Sequence, residues 1–195
     1  MARSSQSGRR PSGRTPSAPA DPAGGVETVA APTLASATLP RVWHGVGYRP
    51  LEDTAAARAL FDFAAVPWPP GAALEPCWAA YTAERGGERL VGAALGERVR
   101  SAAMLHGPTV VSDGDALEVA TQLLAAWLDH ATALGVETVF ARPQGLDRIW
   151  IRFGFIPVPE GALPEGLTGR AGVGLYAWRG GSALWSFREA SAAAR

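Results

Sequence analysis

The chain has 195 residues, of which 47% are hydrophobic and 18% are charged, and its formal net charge at pH 7 is zero. This composition is typical of a globular protein, and the zero net charge excludes a whole-molecule field that would attract nucleic acid or a membrane surface. No apolar run approaches the roughly 18 residues that a membrane-spanning helix needs, so we expect a cytoplasmic protein without a membrane partner.

The first 40 residues are predicted to form a disordered arm and a linker. Residues 1–24 are mostly Ser, Arg, Gly, Pro and Ala, which bury too little apolar surface to offset the entropy lost on ordering. Residues 25–40 are rich in Ala, Val and Thr, and we interpret them as a linker. Four arginines precede the first acidic residue, Asp21, so a nucleic-acid-binding arm is an alternative to a solvated tail. We favour the solvated tail.

Between residues 41 and 111 the pattern predicts one helix and several strands. The elements are a strand over 42–49, a helix over 54–63, a hairpin of strands over 78–83 and 89–95, and a long strand over 99–111. Asp53 or Thr54 is placed to cap the helix, and Gly96–Glu97 is expected to turn the chain. Pro108 has no N–H group, so the hydrogen-bonded ladder of the long strand must open there.

The clearest helix is predicted over 115–134, where apolar residues recur at helical spacing. Asp115 and Glu118 resemble a capping box at its start, Gly135 ends it, and His130 is expected to face solvent. The later elements are a strand over 136–141, a short helix over 146–153, strands over 155–158 and 173–178, and a C-terminal helix over 182–194.

The order of these elements predicts an α/β protein with a mixed sheet in one domain at 41–181, followed by a C-terminal tail at 182–195. Four short motifs occur along it: Tyr48 to Asp53 (YRPLED), Arg89 to Ala94 (RLVGAA), Leu134 to Val136 (LGV) and Ile149 to Phe155 (IWIRFGF). By these motifs and their order, the chain resembles the GNAT N-acetyltransferase family. The resemblance implies a mostly antiparallel mixed sheet flanked by helices, and transfer of an acetyl group from acetyl-CoA to a primary amine.

The resemblance also implies where the cofactor would lie. In this family the long strand splays from its neighbour, and the freed backbone pairs with the pantetheine arm. A loop before the central helix then holds the pyrophosphate, because unpaired N–H groups and the helix dipole favour an anion. The family loop, Gln/Arg-x-x-Gly-x-Gly/Ala, fits in two registers, neither of which has the leading Gln or Arg. One register uses Asp115, Glu118 and Ala120, and the other uses Val111, Gly114 and Ala116.

The site implied for acetyl-CoA is therefore spread over one strand, one loop and the short helix. Its predicted residues are Val110, Val111, Gly114, Asp115, Ala116, Ala120 and Arg148, with Arg142 and Arg152 as further candidates for phosphate contacts. Asp113, Asp115 and Glu118 gather carboxylates at the same helix N-terminus, where they would cap the helix and repel a pyrophosphate. The sequence thus leaves two functions open: an active N-acyltransferase, or a degenerate GNAT domain that binds a ligand or protein without catalysis.

Two residues are candidates for the catalytic site, His106 and Trp150. Trp150 stands where many family members have the tyrosine that protonates the departing thiolate, and an indole N–H cannot supply that proton at neutral pH. We therefore expect Trp150 to pack in the core or to form a wall against the thioester. His106 lies just before the strand break, and its ordinary pKa suits a general base, with a structural role as the alternative. His44 and Glu97 are weaker candidates.

Other reactive side chains predict little chemistry. The lone cysteine, Cys77, is interpreted as a packed thiol rather than a nucleophile, and no spacing typical of metal ligands occurs. The amine acceptor is not identified, although Glu75, Glu160 and Glu165 in the loops would suit a cationic amine. The sequence leaves open whether the domain is a monomer or a homodimer.

Overall fold

The computed structural model describes residues 31–71, 73–112, 114–170 and 184–188. The predicted arm over 1–24 and the predicted strand over 173–178 lie outside these residues. Within the predicted linker, Leu34–Ala37 forms a short helix, and its last residue, Ala37, is buried. The folded part of the chain therefore begins earlier than the sequence predicted.

The helices and strands follow the predicted order except in the linker, in the first strand, at Gly96–Glu97 and in the C-terminal segment. Within the described residues the helices are α1 (Leu34–Ala37), α2 (Arg58–Phe63), α3 (Ala116–Ala133) and α4 (Asp147–Arg152). The strands are β1 (Arg41–Trp43), β2 (Val46–Pro50), β3 (Cys77–Glu84), β4 (Gly87–Val99), β5 (Ala102–Val110), β6 (Thr138–Ala141), β7 (Ile156–Pro157) and β8 (Trp185–Arg188). Short 3-10 turns occupy Thr54–Ala57, Glu160–Ala162 and Glu165–Leu167.

The strands of the described residues form one sheet in the order β1-β2-β3-β4-β5-β6-β8-β7. Neighbouring strands are antiparallel except β5 and β6, which are parallel and are connected through α3. A tight turn cannot join two parallel strands, so the chain needs the long helix between them. The predicted mixed, mostly antiparallel sheet flanked by helices is confirmed.

The strand predicted over 42–49 is a two-stranded hairpin instead. β1 and β2 pair in the register Trp43↔Val46, and His44 and Gly45 form the turn at φ angles of 47° and 78°. A two-residue turn with both φ angles positive matches the twist of a hairpin, and glycine adopts that conformation without steric cost. The prediction of one uninterrupted strand is wrong at this His-Gly pair.

The turn predicted at Gly96–Glu97 is also wrong, because β4 continues through both residues to Val99. The chain turns at Arg100, whose φ angle is 56°. A Cβ atom on Gly96 would lie 2.7 Å from Cζ2 of Trp127 and 2.9 Å from the Pro76 carbonyl oxygen. Gly96 therefore allows α3 to approach β4 closely, and such an approach is a common reason for glycine inside a strand.

The C-terminal helix predicted over 182–194 is contradicted by β8, which pairs antiparallel with both β6 and β7. This segment alternates two aromatic residues, Trp185 and Phe187, with polar residues, which is the period-two pattern of a strand. Both aromatic side chains pack into the core. Residues 184–188 thus belong to the folded domain rather than to a tail.

Side chains of the sheet alternate between two faces, and each face has its own core. α3 and α4 pack on one face, over residues that include Ala94 and Leu105. α2 packs on the opposite face over Leu95, and a further cluster on that face contains Met104 and Phe140. We call these the α3 face and the α2 face.

Among the described residues, α3 supplies eight of the 22 buried apolar side chains in the core of the α3 face. Its N-cap, Asp115, accepts a 3.1 Å hydrogen bond from the backbone N–H of Glu118, which is half of the predicted capping box. The sequence suggested that His130 faces solvent, but its side chain is buried. Its Nδ1 accepts a 3.1 Å hydrogen bond from the indole N–H of Trp78, so the ring is part of the core between helix and sheet.

Candidate functional site

The sheet opens between β5 and β6. Their pairing runs from Ala102↔Thr138 to Leu105↔Ala141 and ends there, while β5 continues to Val110. A cavity of about 240 Å³ lies at this opening. The opening is where the sequence resemblance placed a splayed strand.

Gly107 and Pro108 interrupt the strand at the opening. Pro108 has no N–H group to donate to a neighbouring strand. The pairing of β5 with β4 shifts register at this point and resumes at Thr109↔Ala93. Gly107 has a φ angle of 95°, and a Cβ atom there would lie 2.9 Å from the Ala93 carbonyl oxygen, so glycine is required by both conformation and space.

The cavity is lined from both faces of the sheet. Ala116 of α3 and Trp150 of α4 line it from the α3 face, and Ala64, Val66 and Pro67, which follow α2, line it from the other. The remaining lining residues are Met104, Leu105, His106, Gly107, Pro108, Thr109, Val110, Arg142, Gln144, Gly145, Leu146 and Arg170. Two molecules that approach from opposite faces can therefore meet at the opening.

His106 lies at the opening and is bonded to Glu97 of β4. Its Nε2 is 2.9 Å from Oε2 of Glu97. The guanidinium of Arg170 donates to both carboxylate oxygens of Glu97, at 3.0 and 3.2 Å. The Glu97 side chain is only 5% exposed and that of His106 11%, so water screens this group weakly.

Burial and hydrogen bonding set the charges of Glu97 and His106. Burial alone would raise the pKa of Glu97, but hydrogen bonds from Arg170 and His106 outweigh it and hold that pKa below the ordinary value. Burial lowers the pKa of His106, the Glu97 carboxylate raises it and the charge of Arg170 lowers it; the net shift is downward, which favours the neutral ring at pH 7. A carboxylate only accepts hydrogen bonds, so Nε2 of His106 carries the proton and Nδ1 keeps a free lone pair.

Arg142 follows β6 and lines the same cavity. Its two terminal nitrogens donate to the carboxylate of Glu160 at 2.6 and 2.7 Å, and these hydrogen bonds lower the pKa of Glu160. Two buried polar atoms at the cavity, Nε of Arg142 and Oγ1 of Thr109, have no hydrogen-bond partner among the described residues. Buried polar atoms are usually paired, and neither of these two is exposed, so a ligand reaches them only if the side chains move.

The predicted cofactor residues do not all lie at this cavity. Val110 and Ala116 line it. The N–H of Val111 donates to the Val91 carbonyl oxygen at 2.8 Å, so that donor is used within the fold. Ala120 is fully buried in the core of the α3 face and lines neither cavity, so its role in cofactor binding stays a prediction. Since α3 begins at Ala116, the loop register through Val111, Gly114 and Ala116 fits the start of the helix.

Gly114 and Asp115 line a second cavity, of about 370 Å³, at the N-terminus of α3. Tyr48 and Glu118 also line it, and burial followed by the charge of Glu118 raises the pKa of Tyr48 to about 12. Arg148 is exposed on α4 and is not a lining residue of either cavity. The loop before α3 thus separates the two cavities.

Trp150 and Cys77 have structural surroundings. Trp150 is buried, its indole N–H donates to the Gly145 carbonyl oxygen at 3.1 Å, and its ring stacks edge-on with Phe155 at 4.9 Å. It also lines the first cavity, and its role as a wall against the thioester stays a prediction. Cys77 is buried, and burial raises the pKa of its thiol to about 11, which fits a packed thiol rather than a nucleophile.

The described ranges contain neither a membrane-spanning helix nor a cluster of metal ligands. None of the helices there is both long and apolar enough to cross a membrane. Within the same ranges, no group of three or more His, Cys, Asp or Glu residues is arranged to hold a metal ion.

Comparisons with known proteins agree with this architecture. No protein-family model and no curated protein matches the sequence. Among solved structures, N-acetylglutamate synthase from Neisseria gonorrhoeae, complexed with coenzyme A and N-acetyl-glutamate, is similar at a TM-score of 0.53 and 15% identity. An acetyltransferase from Streptococcus agalactiae is similar at a TM-score of 0.54 and 12% identity.

The chain has the fold of the GNAT acetyltransferases. The similarity covers 76% of this chain and 35% of the synthase, so this GNAT-fold chain spans about a third of that protein. The similarity to the Streptococcus acetyltransferase covers 75% of this chain and all of that protein. At these identities the similarity bears on the fold alone, and the chemistry must be argued from the residues of the cavity.

The sequence did not predict that Arg170, Arg142 and Thr109 line this cavity. Arg170 lies 73 positions after its partner Glu97, and no local pattern links them. Thr109 could have been found, because it directly follows the predicted strand break. His106 and Glu97 were both considered, but only the register of β4 and β5 shows that they are neighbours.

Proposed function

We propose that this chain is an acetyl-CoA-dependent N-acetyltransferase that acts on a primary amine. The observation that carries the proposal is the cavity between β5 and β6 of a GNAT fold, where His106, whose pKa burial lowers, is hydrogen-bonded to Glu97 at 2.9 Å. A neutral imidazole with a free lone pair is suited to accept a proton from an amine.

Acetyl-CoA would reach the opening from the α3 face. Beyond Leu105, β5 is no longer paired with β6, so its backbone near Val110 is available to amide groups of the pantetheine arm. The N–H groups of Ala116 and Leu117, in the first turn of α3, have no described partner and would favour the pyrophosphate. The similar synthase is complexed with coenzyme A, which supports acetyl-CoA as the co-substrate.

His106 supplies the proton acceptor for the transfer. As the amine nitrogen forms its bond to the acetyl carbon and the C–S bond breaks, Nδ1 of His106 takes the proton that the amine loses. Glu97 stabilises the resulting imidazolium because its carboxylate accepts the hydrogen bond that Nε2–H donates. Trp150 cannot protonate the departing thiolate, so the thiolate takes a proton from solvent.

A second candidate function is a GNAT-fold module that binds a ligand without catalysis. Asp115 and Glu118 place two carboxylates at the N-terminus of α3, and Asp115 already satisfies the N–H of Glu118. These charges oppose a pyrophosphate at the same helix end. The two candidates differ in whether acetyl-CoA binds and whether an amine then reacts.

Calorimetric titration of the full chain with acetyl-CoA tests the proposal. We expect a dissociation constant below about 100 μM, and a clear rise in melting temperature at millimolar acetyl-CoA. Free CoA should bind as well, since it keeps the pantetheine and phosphate groups. Absence of binding to both would overturn the proposal and favour the non-catalytic module.

A further inference from the structure

The polar groups of the first cavity lie on one face of the sheet. Leu105 and Ala141 are register partners, and both belong to the core of the α3 face. The next residue on each strand, His106 and Arg142, therefore points to the α2 face, because side chains alternate along a strand. His106 and Arg142 thus flank the opening on the same face, directly after the last pair of β5 and β6.

Arg170 and Thr109 join them on the α2 face. Arg170 is bonded to Glu97, which is two residues beyond Leu95 of the α2-face core. Thr109 is the register partner of Ala93, another member of that core. The α2 side of the cavity therefore combines two guanidinium groups, one imidazole and one hydroxyl.

The cavity offers hydrogen-bond donors and positive charge but no acid. None of the described residues that line it is Asp or Glu. The two carboxylates that pair with the arginines, Glu97 and Glu160, lie behind them and are not lining residues. They fix the guanidinium planes and leave other N–H groups free, since each guanidinium carries five.

This arrangement argues against the cationic acceptor that the loop acids suggested. Glu160 is bonded to Arg142, and Glu75 lies 3.3 Å from Arg98. An acceptor with several positive charges would meet two arginines and no carboxylate. By contrast, a carboxylate accepts strong, charge-assisted hydrogen bonds from guanidinium groups.

We propose that the acceptor is a small amine that also bears a carboxylate, such as a free amino acid. Its amine would lie at His106 and its carboxylate at Arg142, with Thr109 as a further donor. The unpartnered Nε of Arg142 and Oγ1 of Thr109 are explained if a bound carboxylate draws these side chains toward it. The cavity of about 240 Å³ must also hold the acetyl group, which limits the acceptor to a small molecule. This inference rests on the proposed function.

Matched pairs of amines test the acceptor class. Each pair differs only by one carboxylate: lysine and cadaverine, phenylalanine and phenethylamine, tyrosine and tyramine. Thiol release from acetyl-CoA is measured for both members with the full chain. We expect a kcat/KM about tenfold or more higher for the carboxylated member of at least one pair, the factor typical of a charge-assisted hydrogen bond.

Two substitutions separate a contact with substrate from an effect on the fold. Arg142→Gln removes the guanidinium and should abolish the preference for the carboxylated member of each pair. Glu160→Gln breaks the same ion pair but keeps the guanidinium, and should preserve the preference. Arg49→Gln removes an exposed ion pair of 2.7 Å with Glu88 and serves as the control.

The outcomes distinguish this inference from the proposed function. If acetyl-CoA does not bind, both fail together. If it binds and the decarboxylated amines react as well or better, or if no amine of the panel reacts, the inference about the acceptor fails alone. It also fails if Glu160→Gln loses the preference as Arg142→Gln does, or if Arg142→Gln weakens acetyl-CoA binding tenfold.

Discussion

Nε2 of His106 lies 2.9 Å from Oε2 of Glu97, across the antiparallel strands β5 and β4. The two residues are not register partners: His106 is opposite Leu95, and Glu97 is opposite Met104. Their side chains therefore meet diagonally on the α2 face, between two apolar clusters. Because both are nearly buried, the hydrogen bond fixes the orientation of the imidazole at the cavity.

The first prediction concerns the pH dependence of acetyl transfer. The pKa of His106 is lowered by burial, so the loss of kcat/KM that protonation of this ring causes should appear only below about pH 6.5. Glu97 raises this pKa and the charge of Arg170 lowers it. Glu97→Gln should therefore move the acid limb to lower pH, and Arg170→Gln should move it to higher pH.

A pH–rate profile of the two variants beside the unchanged chain checks this. Shifts in opposite directions would be specific to the titration of His106. If both variants lose rate with an unchanged profile, the group has only a structural role.

The second prediction concerns Gly71, which packs against the buried carboxylate. A Cβ atom on Gly71 would overlap Oε1 of Glu97. Gly71→Ala should displace the carboxylate and lower kcat at least severalfold, with a stability cost of about 1–3 kcal/mol. Gly161→Ala is the matched control, because nothing lies within 4 Å of its Cβ position. Equal kcat values for the two variants would contradict the close packing of Gly71.

The third prediction separates capping from charge at the N-terminus of α3. Asp115→Ser keeps a side-chain oxygen for the N–H of Glu118 and removes the negative charge, whereas Asp115→Ala removes both. Asp115→Ala should cost about 1 kcal/mol of stability, and Asp115→Ser much less. Both should bind acetyl-CoA about fivefold more tightly if the pyrophosphate lies at this helix end. Denaturant unfolding and calorimetry measure the two effects, and weaker binding in both variants would refute this placement of the pyrophosphate.

The fourth prediction concerns His130 and the stability of the core. Burial lowers the pKa of His130, and its Nδ1 must be unprotonated to accept the hydrogen bond from Trp78. The folded state then binds fewer protons than the unfolded state, so this contribution is complete above about pH 6.5 and is lost as the pH falls. The free energy of unfolding should be lower at pH 5 than at pH 7.5. His130→Leu should reduce this difference, whereas the exposed His44→Asn should leave it unchanged.

Local patterns in the sequence predicted the helices and most strands. The helix over 115–134, its cap at Asp115 and the strand break at Pro108 each follow from the chemistry of a few adjacent residues. The errors have equally local causes. Gly96 was interpreted as a turn although it accommodates Trp127, and the His44–Gly45 turn and the alternation of Trp185 and Phe187 were overlooked.

The candidate site was harder to predict because it depends on strand register. His106 was singled out for its position before Pro108, but its contact with Glu97 depends on the pairing of β4 with β5. Arg142 was assigned to phosphates because it is near the short helix in sequence. The parallel pairing of β5 and β6 places it on the α2 face, away from α3.

The most direct test of the account is acetyl transfer by the His106→Gln variant. Product formation and thiol release are measured with acetyl-CoA and the best amine of the panel, and acetyl-CoA affinity is measured in parallel. We predict that the unchanged chain forms the N-acetyl product, and that the variant loses about 10²-fold or more in kcat with unchanged acetyl-CoA affinity. A variant as active as the unchanged chain, or an unchanged chain that binds acetyl-CoA and acetylates no amine, would contradict the account.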